Sequence, residues 1–384
     1  MGGAGDVLRF WSDRLLPARI RYRRSMTAHH GGDRTGAFTV MPADLPGALS
    51  TEPLSIHFWT PHAWPSTAIH VDRVLQHLRA EAEALGLRWR ITNGPDLPQQ
   101  PVDWLLCLKT VPPRRAGSKE QTVLLLNDDA ERLWGQLGRF DHVVVVSSPV
   151  LASLVGSVHP HVWFVEETEP VATIARGDSA LGRIPPSQRA PVLLWHGTKE
   201  SLDGLIPLRE ALDAFARETG AALSIVTNRP AATEQWGALR IQYRPWSPQI
   251  LAAEAAQARI GIVPARPTLA DSYLKSAGRL RCLLALGCPA IGDLRSPDVV
   301  AFSAACDLPT ANTGAEWLAA LRPLWSDPSR LDAVARRGHA LVRERYSAAR
   351  TARQWLWFFG AAAAGHAGTR SHEAAGVRDT FISQ

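Results

Sequence analysis

The sequence is short of cysteine, of long apolar runs and of any nucleic-acid signature. It has four cysteines in 384 residues: Cys107, Cys282, Cys288 and Cys306. None forms a Cys-x-x-Cys pair, and two lie in apolar runs, which points to reduced, mostly buried thiols in a cytosolic protein. No apolar run approaches the roughly 20 residues that span a bilayer. The opening MGGAGDVLRFW lacks the charged-then-apolar order of a secretory leader. No paired Cys/His spacing and no RNP-like run appears, so nucleic acid is not an expected partner. No Glu or Asp group is matched with histidines at metal-ligand spacing, so no metal is expected. No internal repeat is evident.

What is present fits packed α/β domains. At 384 residues the chain exceeds the size of a single core, so two domains are expected. Hydrophobic residues make up 46%, and fourteen are Trp, whose large rings suit cores and also sugar-stacking surfaces. Net charge is +6, a balance compatible with anionic lipid or phosphorylated small molecules.

Residues 1–50 read as an irregular basic arm. Arg19, Arg21, Arg23 and Arg24 beside Leu15, Leu16 and Ile20 suit either a solvated arm or a helix on an anionic membrane surface. From 53 onward short apolar or β-rich runs alternate with helical spacing. Runs at 54–59, 88–92, 104–108, 122–126, 142–146 and 162–165 read as strands. Val71, Val74, Leu75, Leu78, Ala82 and Leu85 follow a helical period that Gly86 stops. Runs such as LLL and VVVV indicate strands buried on both faces, the mark of parallel sheets. The polar, Pro-containing stretch 176–190 reads as a linker. A second alternation follows, with strands at 192–195, 222–227, 239–243 and 259–263. Helices are expected around 205–220, 248–257, 315–325 and 331–345, with a last one over 347–364. Residues 365–384 read as a disordered tail. The expected fold is therefore α/β: two Rossmann-like doubly wound domains facing a cleft, over 51–175 and 191–346, with the last helix crossing back to the first domain.

The stretch RIGIVPARPTLADSYLKSAGRLRCLLALGCPAIG, 259–292, carries the chemistry. It reads as a buried strand, a polar loop holding Lys275 and Arg279, a short apolar helix and a Gly-Cys-Pro turn into another buried strand. Ligands of open α/β sheets sit where a strand ends and its helix starts, and a helix N-terminus beside basic residues favours phosphate. Lys275, Ser276, Arg279 and the amides after Lys275 are the phosphate candidates. Gly197 and Thr198 allow close backbone approach to a pyrophosphate, and Lys199 is either a second cation or a surface lysine.

These residues resemble the "glycosyl transferases group 1", retaining enzymes of the GT-B fold. The carriers are WHGT-K at 195–199, IGIVP at 260–264, KSAGRLRCLLALGCPAIG at 275–292 and LWSDPSRLDAVARRGHALVRERYS at 324–347. More weakly, VLLLNDD at 123–129 and DHVVVVSSP at 141–149 match the first domain. The resemblance implies an acceptor-binding first domain, a second domain that binds a nucleotide diphosphate sugar as donor substrate, and no cofactor. It implies transfer of a hexose to a glycan, lipid-linked or small-molecule acceptor. The setting it implies is cell-surface polysaccharide synthesis in the cytoplasm, with or without association with the inner face of the membrane.

Two departures qualify the mechanism. The family's donor-loop Glu-x7-Glu falls on Leu274 and Cys282, so both carboxylates are missing, and Asp271 is the nearby substitute for the first. The histidine of the family's His-Asp pair is Asn127 here, followed by Asp128. An inverting mechanism needs a base on the acceptor hydroxyl. Asp128 at a strand end is the first candidate, with helix capping as its plain alternative. Asp129 and His57 follow, the latter placed with His62, Trp59 and Trp64 in the first strand-to-helix loop. A degenerate GT-B protein that binds nucleotide or glycan without turnover, and a sugar-nucleotide epimerase, remain the alternatives.

Overall fold

The computed structural model describes residues 38–41, 49, 52–62, 67–113, 119–127, 130–266 and 274–363. The basic arm around Arg19–Arg24 and the tail beyond 363 lie outside these residues. The chain divides into two compact units, 1–168 with 348–384, and 169–347.

The first unit is built on β1 (Thr39–Val40), β2 (Leu54–Trp59), β3 (Trp89–Gly94), β4 (Trp104–Leu108), β5 (Gln121–Leu126), β6 (His142–Val145) and β7 (Val162–Phe164). All pairs in this sheet are parallel, in the order β1-β7-β6-β5-β4-β2-β3. The WLLCL and HVVV strands are buried throughout, as two-sided packing requires. Helix α1 (Arg73–Ala84) turns Val74, Leu75, Leu78 and Ala82 inward, and Gly86 follows it at φ +68°. Helix α2 (Pro149–Gly156) starts at a Ser148 cap whose hydroxyl accepts from Val150 N.

The second unit begins with α3 (Val171–Arg183), followed by β8 (Ala190–His196), α4 (Arg209–Thr219), β9 (Ala222–Thr227), β10 (Ala232–Trp236), β11 (Leu239–Pro245), α5 (Pro248–Gln257), β12 (Ala258–Val263), α6 (Gly278–Ala285), β13 (Ala290–Asp293), α7 (Pro297–Cys306), β14 (Thr310–Ala311), α8 (Gly314–Ser326) and α9 (Pro328–Arg345). Its sheet order is β10-β11-β9-β8-β12-β13-β14, parallel except for the β10–β11 hairpin. Without β10 this is the 3-2-1-4-5-6 order of a Rossmann sheet, whose direction of winding reverses between β8 and β12.

The expected linker at 176–190 is corrected. Most of it is α3 and a short 3-10 turn, Pro186–Gln188, both in the second unit. The helix buries Ile174, Gly177 and Ala180 on one face. Gly177 is part of that contact, since a Cβ there would sit 2.1 Å from Ala285 O. A face made of glycine and alanine has little hydrophobic signal, which is why the stretch resembles a linker in sequence. The last helix, α10 (Ala348–Ala363), belongs to the first unit. Its Trp355, Phe358 and Phe359 are fully buried, with Phe358 5.4 Å from Trp104 and Trp355 5.7 Å from Phe58, ring centre to ring centre. Trp163, Trp195, Trp317 and Trp355 are among the largest fully buried side chains, so much of the tryptophan content is core. No described helix is long and apolar enough to cross a membrane.

Candidate functional site

In the second unit the ends of four adjacent parallel strands present the candidate residues. Strand β8 ends at His196 and leads into Gly197, Thr198 and Lys199. Strand β9 leads into Asn228, β11 into Trp246, and β12 into Pro264 and Ala265. Ligands of such sheets bind outside the carboxyl ends where winding reverses, here between β8 and β12.

Arg279 on the first turn of α6 reaches this point. Its Nη2 donates to Pro264 O at 2.9 Å, and its guanidinium carbon lies 5.9 Å from the Trp195 ring centre. Its Nη1 is buried and has no hydrogen-bond partner. A Cβ added to Gly197 would lie 2.9 Å from the Trp195 ring, so only glycine leaves the ring in place, while that Nη1 lies at ordinary contact distance, 3.5 Å. Desolvation lowers the Arg279 pKa to about 10, partly offset by Asp293, and the group stays cationic at neutral pH. His196 Nε2 donates to Arg279 O at 3.1 Å. Burial depresses its pKa to about 4, so the imidazole is neutral and serves to hold the α6 backbone.

Asp293 at the end of β13 is 1% exposed and was not a sequence candidate. It accepts from Ala265 N at 2.8 Å and from Arg295 N, Nε and Nη2 at 2.9, 2.8 and 2.7 Å. It ties the loop after β12 to the loop after β13 and tempers the positive potential of Arg279. Trp246 was also missed. It is 54% exposed, and its backbone N–H donates to Thr227 O at 2.8 Å, beside Asn228. A planar aromatic left in solvent at a strand end is the signal that would have found it.

The other sequence candidates are distributed less favourably. Gly197 N donates to Val226 O, and Lys199 N donates to the Asn228 carboxamide oxygen at 2.7 Å, so both amides are already used. Thr198 and the Lys199 side chain are exposed. Lys275 is exposed too, and no hydrogen bond or ion pair engages it among the described residues. The amides after Lys275 are not open to phosphate as expected. Ala277 N donates to Asp298 at 2.6 Å and Gly278 N to the Ser276 hydroxyl at 3.3 Å, so the chain's own oxygens cap α6. Leu274 is buried, and Cys282 packs against the core. Asp271 lies outside the described residues.

In the first unit, His57 is corrected from loop to strand. It sits within β2, with Nδ1 2.8 Å from Thr92 Oγ1 and Nε2 3.1 Å from Asp96 O. Asn127, at the end of β5, is buried and bonded to His70. Asp128 and Asp129 lie outside the described residues.

Residues 206–357 match a family described as "Glycosyl transferase-like". No curated protein matches the chain by sequence. Among solved structures, HepE of Anabaena, in complex with UDP and glucose, superposes with a TM-score of 0.53 at 10% identity, over 80% of this chain and 99% of that one. Sucrose-phosphate synthase of Thermosynechococcus elongatus gives 0.57 at 12% identity, over 81% and 100%. A glycosyltransferase of Rickettsia africae gives 0.54 at 11% identity, over 80% and 98%. With two Rossmann-like sheets in one chain, the protein has the GT-B fold, and residues 206–357 make it similar to the glycosyl transferases of group 1.

Proposed function

We propose that the protein transfers a hexose from a nucleotide diphosphate sugar to a glycan, lipid-linked or small-molecule acceptor, in the synthesis of a cell-surface polysaccharide. The donor is a substrate, and the reading calls for no cofactor. One observation carries it: Arg279 Nη1, buried and unpartnered, at the winding reversal of the second sheet and beside Gly197. A guanidinium with one nitrogen anchored and another unsatisfied in a water-poor site is ready for an anion. The bond to the sugar breaks as negative charge grows on the leaving diphosphate, and a fixed cation there stabilises the transition state. Exposed Lys275 and Lys199 add long-range attraction that salt screens. Trp246, beside Asn228, offers a flat surface suited to the nucleobase.

The test is release of UDP or GDP from UDP-glucose, UDP-galactose and GDP-mannose in the presence of a mixed oligosaccharide and polyprenyl-phosphate acceptor pool. Acceptor-dependent release from one donor supports the proposal. A second reading is supported by Leu274 and Cys282 standing where the related enzymes carry glutamates: a protein that binds the nucleotide without turnover. Nucleotide binding with no release from any donor would select it.

A further inference from the structure

We propose that Arg281 is a positioning residue for the donor site: buried with Glu169 and Tyr346, it fixes the pose of helix α6 and so the aim of the Arg279 guanidinium. The proposal deepens the donor reading and rests on it, while its first test needs no ligand.

Helix α6 runs for eight residues, and Arg279 lies in its first turn. Its sheet side is apolar: Leu280, Leu283 and Leu284 are fully buried. The approach to the sheet is close, since a Cβ on Gly261 of β12 would lie 2.6 Å from Leu283 Cδ1. Packing of this kind holds the helix down. It does not by itself fix the direction in which the helix points, because the hydrophobic effect is non-directional.

Arg281 supplies that direction. Two residues beyond Arg279, it leaves the helix on the other side, as residues two apart on a helix do. Its Nε donates to Glu169 Oε1 at 2.9 Å, and the two side chains are 5% and 4% exposed. Its guanidinium carbon lies 4.8 Å from the Tyr346 ring centre. Glu169 N in turn donates to Tyr346 O at 2.9 Å. Glu169 opens the second unit, and Tyr346 stands next to its last residue, Ser347. One arginine thus ties α6 to both ends of the unit's chain.

Stability does not account for such a pair. The loss of hydration offsets much of the attraction, and apolar replacements of similar volume are often neutral or stabilising. What the pair adds is fixed geometry, since a charged hydrogen bond and a flat guanidinium on a ring tolerate little movement. On the other side of the helix Arg279 is anchored through Nη2 on Pro264 O, with Nη1 buried and unpartnered. Any rotation or slide of α6 therefore carries that nitrogen with it, and a misplacement of about 1 Å in a group that holds a substrate costs up to about a hundredfold in rate.

The test uses the full chain and reads the 15Nε side-chain signal of Arg279 without ligand, with the melting temperature beside it. The double variant Glu169→Leu/Arg281→Met orphans no buried charge, so it is expected to fold and to melt no lower than the wild type. Its Arg279 signal is expected to shift, and its affinity for UDP or GDP to fall about threefold to tenfold. Arg281→Lys keeps the charge but loses the planar fork, so a smaller shift and most of the affinity are expected. An unmoved Arg279 signal in the folded double variant overturns the proposal, and so does wild-type affinity. If the double variant fails to fold, Arg281→Lys decides by the same signal: a shift supports the proposal and none overturns it. Calorimetry of UDP and GDP on the wild type is read separately. Absence of binding there defeats the donor reading, while the ligand-free signal still decides whether Arg281 sets the position of Arg279.

Discussion

Gly197 is a residue whose side chain matters by being absent. The Trp195 ring lies where a β-carbon would go, and Arg279 Nη1 is just beyond it. Gly197→Ala forces the ring aside. It is expected to cost about 1–3 kcal/mol in urea unfolding, with nucleotide affinity falling as the ring beside Arg279 shifts. Lys275 behaves differently. As an exposed cation with no described partner, it contributes the small, screened energy of surface charges. Lys275→Ala is expected to weaken UDP or GDP binding less than about threefold, and the loss should shrink further in high salt. A large, salt-independent loss would return the phosphate to the start of α6. His57, bonded through both ring nitrogens inside β2, is placed as a structural residue. His57→Ala is expected to lower stability by about 1–3 kcal/mol and to leave turnover of the folded fraction unchanged. A collapse in turnover at unchanged melting temperature would restore it as a catalytic candidate.

At the scale of elements, β6 and β7 bring three histidines together. His142 and His161 have ring centres 5.5 Å apart, and His159 and His161 6.3 Å. His142 Nδ1 accepts from Trp163 Nε1 at 3.2 Å, with Trp104 and Phe358 against its ring. Burial, and then the other histidines, lower the His142 pKa from 6.5 to about 4, while Asp141 opposes the shift. His159 is lowered too, again by burial first. The unfolded chain takes up these protons at higher pH than the folded one. The stability held above pH 6.5 should therefore be lost as pH falls toward about 4. Thermal unfolding across that range is expected to show a falling melting temperature in the wild type and a shallower fall in His142→Gln. Equal slopes would remove the cluster from the account. Several helix starts carry capping chemistry that went unread in the sequence: Ser148, Ser247, Ser296 and Asp327 each accept from the first turn of their helix, and Thr313 with Glu316 forms a capping box. Helix α3 was not legible, because its buried face is small and its contact with Ala285 is a matter of backbone approach.

At the scale of the molecule, alternation of apolar strands with helical spacing was enough to specify two α/β units, since each strand shows its burial locally. Strand order was not legible, because it depends on pairings far apart in sequence. That order is what places β8 beside β12, and so Gly197 beside Arg279. The same limit hid the first unit's rim. His70, Asn127 and Glu167 are distant in sequence, and nothing in their spacing signals that they meet at the end of β5. Asn127 was singled out in sequence as a departure from the related enzymes, and its bond to His70 emerges only from packing.

The central claim is that the cation at the winding reversal of the second sheet holds a nucleotide diphosphate. Calorimetric titration of UDP and GDP into the wild type and Arg279→Ala tests it most directly, with circular dichroism to show that the variant is folded. The expected result is saturable binding of at least one nucleotide to the wild type and a loss of about tenfold to a hundredfold in the variant. Equal affinity in the two proteins, or no binding to the wild type, would contradict it.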